Sequence, residues 1–408
     1  MNKTLLIDFG ASRIKSIYLF SKNNLFYENK GSIVFHGKKY DPRFYYKKLK
    51  EHLNYYLKKK IEFREIYVCS EMHGFFLLNK KKKKYTQFYS WRFKSKKKNN
   101  SKKINYLKKN LLSKTGLLYR DGLPIINYYK ENLNKRNYDL IGGVSESLCY
   151  FGGDLTNNIS LSYAHSTGFY NMKGLMEKKI KFKNKVCSHL KTNIGNIFFN
   201  KKKINIICGI GDMQAAFIGS YTKKNDVLIN MGTGSQIISQ NLKLHPILKE
   251  TRPISKTKIL YCITHIPSGR SMIEFKKKIL SKKKIKINFW KTMALIKERD
   301  IYKANLKLDL KNFILKNREI NSIVLSNNIK NLCSIFLKNY IYQYLDVINL
   351  CKKKFKKFKI NLAGGIPNKL TIIKSIIRKE TSLKIYTKKD SIDQTLIGLL
   401  KIKNGKFL

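Results

Sequence analysis

Proline is scarce in this chain, at 6 of 408 residues, and glycine is modest at 23. Together with 43% hydrophobic and 12% aromatic residues, that excludes collagen-like, low-complexity and disordered chains. Long apolar runs are missing, which excludes a helix of bilayer length. The start, MNKTLLIDFGAS, has Asp8 where a signal peptide needs unbroken apolar residues, so a cytoplasmic location is expected. The seven cysteines are odd in number, scattered and free of any C-x-x-C pair, and the seven histidines form no H-E-x-x-H set. Reduced thiols and no zinc site follow. No G-x-x-x-x-G-K-[ST] occurs, which excludes a P-loop enzyme. Gly209-Ile210-Gly211 begins like a dinucleotide fingerprint, but Gln214 stands where its third glycine belongs.

Acidic residues are also few. Against 25 Asp and Glu stand 85 Lys and Arg, a formal net charge of +60. Such a charge suits a nucleic-acid surface, because cations that neutralise phosphates release counterions. The richness in Lys, Asn, Ile, Tyr and Phe, with little Pro and Gly, is equally what an A/T-rich coding sequence yields. Runs such as Lys80–Lys84, Lys96–Lys98 and Lys201–Lys203 then read as solvated loops, with no dedicated nucleic-acid partner and only weak, salt-sensitive binding to polyanions.

In so basic a chain, stretches without Lys or Arg mark burial, since an unpaired ammonium is costly to bury. These islands are 137–172, 204–222, 225–242, 259–269 and 360–368. One of them, and the N-terminus, show a strand–turn–strand pattern. Residues 4–9 and 14–20 are strands joined by Gly10-Ala11-Ser12; residues 226–230 and 236–239 are strands joined by Gly232-Thr233-Gly234-Ser235. This faint internal repeat predicts two similar domains facing each other. Helical stretches are expected near 42–60, 211–220, 329–352 and 391–403.

Turns of Gly, Ser and Thr between strands can aim backbone N–H groups and hydroxyls at a phosphate. Ordinary hairpins use the same residues. Asp8, beside the first turn, suits a magnesium ion held directly or through water, or else caps the turn. Residues 204–220, INIICGIGDMQAAFIGS, read as strand, glycine turn and helix, with Asp212 at the helix entrance. Asp212 suits either an N-cap or the carboxylate that accepts the proton of an attacking hydroxyl. Gly209, Gly211, Ala215 and Ala216 are expected to leave room for a substrate beside it.

Eight segments in order resemble the FGGY carbohydrate kinases, over nearly the whole chain. LLIDFGASRIKS (5–16) resembles the first phosphate motif, with Asp8, Gly10, Ser12 and Lys15 in place and Ala11 for the usual Thr. SEMHGF (70–75) resembles the sugar-contacting Q-M-H-G segment, with Glu71 in the Gln position, followed by Met72, His73 and Gly74. LSYAHSTGFYN (161–171) and THIPSGRS (264–271) resemble further family segments. GIGDMQAA (209–216) resembles the motif of the catalytic base, which maps onto Asp212. NMGTGSQ (230–236) resembles the second phosphate motif, LAGGIPNK (362–369) the adenosine-binding segment with Gly364, Gly365 and Asn368, and DQTLIGLL (393–400) the closing helix.

The resemblance implies an α/β chain of two actin-like, ribonuclease H-like ATPase domains with a nucleotide cleft between them. Residues 1–222 would hold the sugar, the first phosphate motif and the base; residues 223–408 would hold the second phosphate motif and the adenosine. ATP, with Mg²⁺ at Asp8, and a ketose or related sugar are the implied partners, and sedoheptulokinase- or xylulokinase-like substrates fit best. The family's W-x-D-x-R is here WRFKS (91–95), so Trp91 remains but Phe93 and Ser95 replace Asp and Arg. Two functions stand: a kinase of shifted specificity, or a catalytically decayed protein that binds nucleotide or sugar. His73 reads equally as a sugar contact or a structural histidine.

Overall fold

The computed structural model describes residues 4–10, 13–19, 25–32, 38–177, 180–220, 222–232, 234–277, 288–308, 310, 328–355, 357–387 and 392–406. The chain divides into two compact units. The first takes residues 1–221, 250–260 and 392–408; the second takes 222–249 and 261–391.

The first unit is built on a seven-stranded sheet. Its strands are β1 (Thr4–Phe9), β2 (Arg13–Leu19), β3 (Leu25–Ser32), β4 (Glu65–Ser70), β5 (Gly153–Leu155), β6 (Asn193–Phe199) and β7 (Lys202–Gly211). They lie in the order β5-β6-β7-β4-β1-β2-β3. Strand β1 is buried along its whole length, as a run of apolar residues covered on both faces must be. It pairs antiparallel with β2 and parallel with β4, and β4 pairs parallel with β7. The helix Arg43–Lys58 buries Tyr45, Leu49, His52, Leu53 and Tyr56, a stripe at three- and four-residue spacing that joins the core of Leu5, Ile7, Ile66 and Val68.

The second unit repeats the plan. Strands β8 (Val227–Met231), β9 (Ser235–Ser239), β10 (Ile259–Ile266), β11 (Ile360–Ala363) and β12 (Ile385–Thr387) lie in the order β10-β9-β8-β11-β12. Pairings β8–β9 and β9–β10 are antiparallel, whereas β8–β11 and β11–β12 are parallel. The set β3-β2-β1-β4-β7 of the first unit has the same order and the same directions. The internal repeat read from the two Gly/Ser turns is therefore a repeat of sheet topology. The 26-residue helix Ile329–Lys354 supplies much of this unit's core, with Phe336, Tyr340 and Tyr344 fully buried. Truncating a strand residue such as Ile229, 0% exposed, to alanine is expected to cost about 2–5 kcal/mol.

Candidate active site

Three parallel strands of the first unit end side by side. Phe9 lies opposite Ser70, Ser70 lies opposite Gly211, and the Glu71 amide donates to the Phe9 carbonyl at 3.1 Å. Asp8, Glu71 and Asp212 therefore emerge along one edge, at the carboxyl ends of the strands, where open α/β sheets place their ligands.

Strand β7 reaches this edge through a bulge. The register against β4 slips between Cys208 and Ile210, and Gly209 takes φ +59°, a left-handed value that favours glycine. Ser160 Oγ donates to the Gly209 carbonyl at 2.7 Å, and the Gly211 amide donates to Ser162 Oγ at 3.2 Å. Both serines come from the lysine-free island 137–172. The bulge delivers Asp212 as the first residue of the helix Asp212–Gly219. Its Oδ1 accepts the Met213 amide at 2.7 Å. Burial, then the negative charge of Asp8, pushes the Asp212 carboxyl up to about 7, against the Met213 amide and Lys15.

The neighbouring small residues are packed against other groups rather than left open. A Cβ on Gly211 would lie 2.4 Å from Gln214 Oε1 and 2.7 Å from Met72 Cε, so Met72 already packs over that glycine. Ala215 and Ala216 are buried; a Cβ on Gly398 would lie 2.0 Å from the Ala215 carbonyl oxygen. Ala215 is small because one helix approaches another there.

Asp8 is 2% exposed. Its Oδ2 accepts Thr395 Oγ1 at 2.8 Å and faces Lys15 Nζ at 3.4 Å. Its Oδ1 is buried with at most the Cys69 thiol, a weak donor, beside it. Burial raises the Asp8 carboxyl, and Lys15 pulls it back. Gly10 follows, with Asp8 Oδ1 3.8 Å from the place of a Cβ. Ala11 and Ser12 lie outside the described residues. Among the described residues no group of three His, Cys, Asp or Glu side chains is arranged for a metal. A magnesium ion that keeps most of its waters and takes phosphates as ligands needs only one or two carboxylates, and the under-used Asp8 Oδ1 fits that demand.

Glu71, 5% exposed, accepts Trp91 Nε1 at 2.6 Å and Tyr45 Oη at 3.2 Å, and Tyr45 Oη is bonded to Tyr40 Oη at 2.6 Å. Burial raises its carboxyl; Arg92, Trp91 and Tyr45 oppose. Glu71 and Trp91 thus form one unit. Phe93 packs against Tyr89 in a tilted arrangement, 5.4 Å between centroids, under the Lys39 ammonium at 4.4 Å. Ser95 Oγ donates to Glu131 at 2.6 Å. Gly74 is buried against the Phe88 ring, and its carbonyl accepts Tyr163 Oη at 2.8 Å.

His73 has φ +67° and both ring nitrogens engaged. Nδ1 lies 2.6 Å from the Ser166 carbonyl, which only accepts, so Nδ1 carries the hydrogen. Nε2 is then the acceptor for Arg252 Nη2 at 3.2 Å. Burial, with Arg252 and Arg120 nearby, holds the imidazole well below its ordinary pKa, so the ring is neutral. Arg252, 4% exposed, and Arg120 both pair with Glu250, 0% exposed, whose Oε1 also accepts the Leu118 amide at 3.1 Å.

In the second unit, the turn after β8 closes on itself. The Gly232 amide donates to the Gly234 carbonyl at 3.0 Å, and the Gly232 carbonyl accepts Ser268 Oγ at 2.8 Å. Ser235 Oγ donates to the Asn230 carbonyl at 2.7 Å. A Cβ on Gly234 would meet nothing within 4 Å, so its backbone stands open. Thr233 lies outside the described residues. Gly364, φ +93°, comes so near this turn that a Cβ would lie 2.3 Å from the Met231 carbonyl oxygen. Gly365 and Asn368 are exposed on the short helix Gly365–Lys369.

Solved structures match the chain from end to end. A ligand-bound xylulose kinase from Lactobacillus acidophilus matches at TM-score 0.75 and 16% identity, over 100% of this chain and 90% of that one. Gluconate kinase from the same organism matches at 0.73 and 17%, and Plasmodium falciparum glycerol kinase with ADP at 0.71 and 13%, both with the same coverages. All three are FGGY-family carbohydrate kinases. The chain has the FGGY carbohydrate kinase fold. No protein-family model and no curated protein matches it.

Within this FGGY kinase fold, several residues at the strand ends carry no motif signal of their own. Tyr45 bonds to Glu71 and Arg252 to His73, and Glu250 in turn pairs with Arg252 and Arg120. The scarcity of acids offered a clue: with 25 in the chain, Glu250 stands out.

Proposed function

We propose that the protein is an ATP-dependent carbohydrate kinase that transfers the γ-phosphoryl group of ATP to a hydroxyl of a ketose or related sugar. The observation that carries this reading is Asp212: a carboxylate aimed by a bulge to the strand-end edge, with its pKa raised to about 7. A general base works best with a pKa near the working pH. The fold shared with xylulose, gluconate and glycerol kinases supports the same reaction class.

Magnesium ATP supplies the electrophilic phosphoryl group and neutralises the charge that develops on it. Asp8 would hold the ion directly or through water, and Gly10, Ala11, Ser12 and Lys15 would bind phosphate. Gly232, Thr233, Gly234 and Ser235 would bind phosphate as the second phosphate motif, and Gly364, Gly365 and Asn368 would receive the adenosine. Glu71 with Trp91, and the turn of Met72, His73 and Gly74, bind and orient the sugar. Asp212 accepts the proton of the attacking hydroxyl. We assign the first of these tasks to residues 1–222 and the second phosphate turn and adenosine to 223–408, in a protein that works in the cytoplasm. No helix among the described residues is long and apolar enough to cross a membrane.

A second reading, a decayed kinase that binds without turnover, has one observation in its favour. Phe93, where the family resemblance calls for a sugar-binding Asp, is packed on Tyr89 and offers the sugar no acceptor. ADP release from Mg²⁺ and ATP, followed against a panel of ketoses, pentoses and polyols, separates the two. Sugar-dependent release supports the kinase; nucleotide binding with no release for any sugar supports the decayed protein.

A further inference from the structure

The last helix of the chain, Gln394–Lys403, begins against Asp8. Asp393 caps it: Oδ1 accepts the Thr395 amide at 3.0 Å. An ordinary helix cap uses one carboxylate oxygen and leaves the other to solvent. Here Asp393 Oδ2 binds Lys15 Nζ at 2.8 Å, closer than the 3.4 Å from that ammonium to Asp8 Oδ2. Thr395 Oγ1 lies 2.8 Å from Asp8 Oδ2 and 2.7 Å from Asp393 Oδ1. Asp8, Lys15, Asp393 and Thr395 close a ring drawn from both ends of the sequence.

Asp393 is held in its place by backbone contact. A Cβ on Gly219 would lie 1.9 Å from the Gln394 carbonyl oxygen, and one on Gly398 would lie 2.0 Å from that of Ala215. The helix start therefore cannot drift relative to the helix that carries Asp212. The ring has a direction. Asp393 draws the Lys15 ammonium to itself, and Thr395 occupies Asp8 Oδ2, which leaves Asp8 Oδ1 without a strong donor.

We propose that Asp393 and Thr395 are positioning residues for nucleotide binding: they hold Lys15 and Asp8 Oδ2 so that the ammonium and Asp8 Oδ1 are presented to phosphate and its cation. This rests on the kinase reading for the identity of the ligand, and it requires no particular sugar. Neither residue is a catalytic residue; each acts through Lys15 or Asp8.

The test is calorimetric titration of ADP with Mg²⁺ into the full-length protein and into Asp393→Asn, Lys15→Met and the double variant. Asparagine caps helices as well as aspartate does, so the helix start survives the change. Loss of one charge-assisted contact is expected to weaken ADP by about tenfold in Asp393→Asn. On the Lys15→Met background the same change is expected to cost less than about twofold, because coupled partners are not additive. Additive losses, or unchanged affinity in Asp393→Asn, overturn the proposal. A second pair leaves every charge in place: Thr395→Ser is expected to keep wild-type affinity and Thr395→Val to lose about fivefold. Equal affinities in that pair overturn the role of Thr395. Wild-type protein that binds no ADP overturns both this proposal and the kinase reading. ADP binding without turnover of any sugar overturns the kinase reading alone.

Discussion

Replacing Asp212 with asparagine is expected to make the protein inactive and, at alkaline pH, more stable. The folded Asp212 carboxyl titrates at about 7, well above its ordinary 3.8, because burial and the charge of Asp8 disfavour the anion. A carboxyl raised in the folded state makes the folded protein bind more protons than the unfolded chain between those two values. Stability therefore falls as pH rises from about 4 to about 7 and stays at its reduced level above that. A rise of about three units corresponds to about 4 kcal/mol at most, and partial solvent contact reduces it to about 1–3 kcal/mol. Asparagine never ionises, and its Oδ1 still accepts the Met213 amide. The variant should come nearest the wild type at about pH 4 or below and exceed it at pH 8 by about 1–4 °C in melting temperature. The assay is thermal unfolding of both proteins across that pH range. An equal or lower melting temperature for the variant at pH 8, or a gain that does not depend on pH, would refute the argument.

Three further outcomes are expected. Arg252→Met breaks a fully buried ion pair with Glu250 and frees His73 Nε2, which should cost about 3 kcal/mol in denaturant unfolding. A cost under about 1 kcal/mol would show that Arg120 alone satisfies Glu250. Phe93→Asp exchanges a ring contact with Tyr89 for a carboxylate under Lys39, and should change the KM for sugar while shifting stability by less than about 2 kcal/mol; an unchanged KM would place residue 93 away from the sugar. In a salt titration with an oligonucleotide, binding driven by the charge of +60 should vanish by physiological ionic strength. Retention at that salt would show a dedicated nucleic-acid surface.

Much of the fold was legible because the composition is so skewed. Where lysine fills every tolerant position, its absence traces the buried strands β7, β8, β9 and β11 and the segment with Ser160 and Ser162. Four expected helices fall at Arg43–Lys58, Asp212–Gly219, Ile329–Lys354 and Gln394–Lys403; the first carries an apolar stripe, whereas Asp212–Gly219 is buried all round. The repeat was legible as two turns, and the structure extends it to five strands in each unit. What the sequence concealed is pairing at long range. Nothing local tells that Asp393 meets Lys15, 378 residues away, or that Arg252 reaches His73, 179 residues away. Small residues beside Asp212 suggested room for substrate; the packing instead sets Ala215 against Gly398 and Gly211 against Gln214 and Met72. The two roles of His73 could not be separated from its motif, whereas its two occupied nitrogens favour holding the turn.

The central claim is that Asp212 takes a proton from a sugar hydroxyl as that hydroxyl receives the terminal phosphoryl group of ATP. The most direct measurement follows γ-labelled phosphoryl from ATP into sugar, with wild-type protein and Asp212→Asn side by side in Mg²⁺. Label in a ketose or related sugar with the wild type, reduced by at least about a hundredfold in the variant while ADP still binds, is the predicted result. Equal transfer by both proteins would contradict the account.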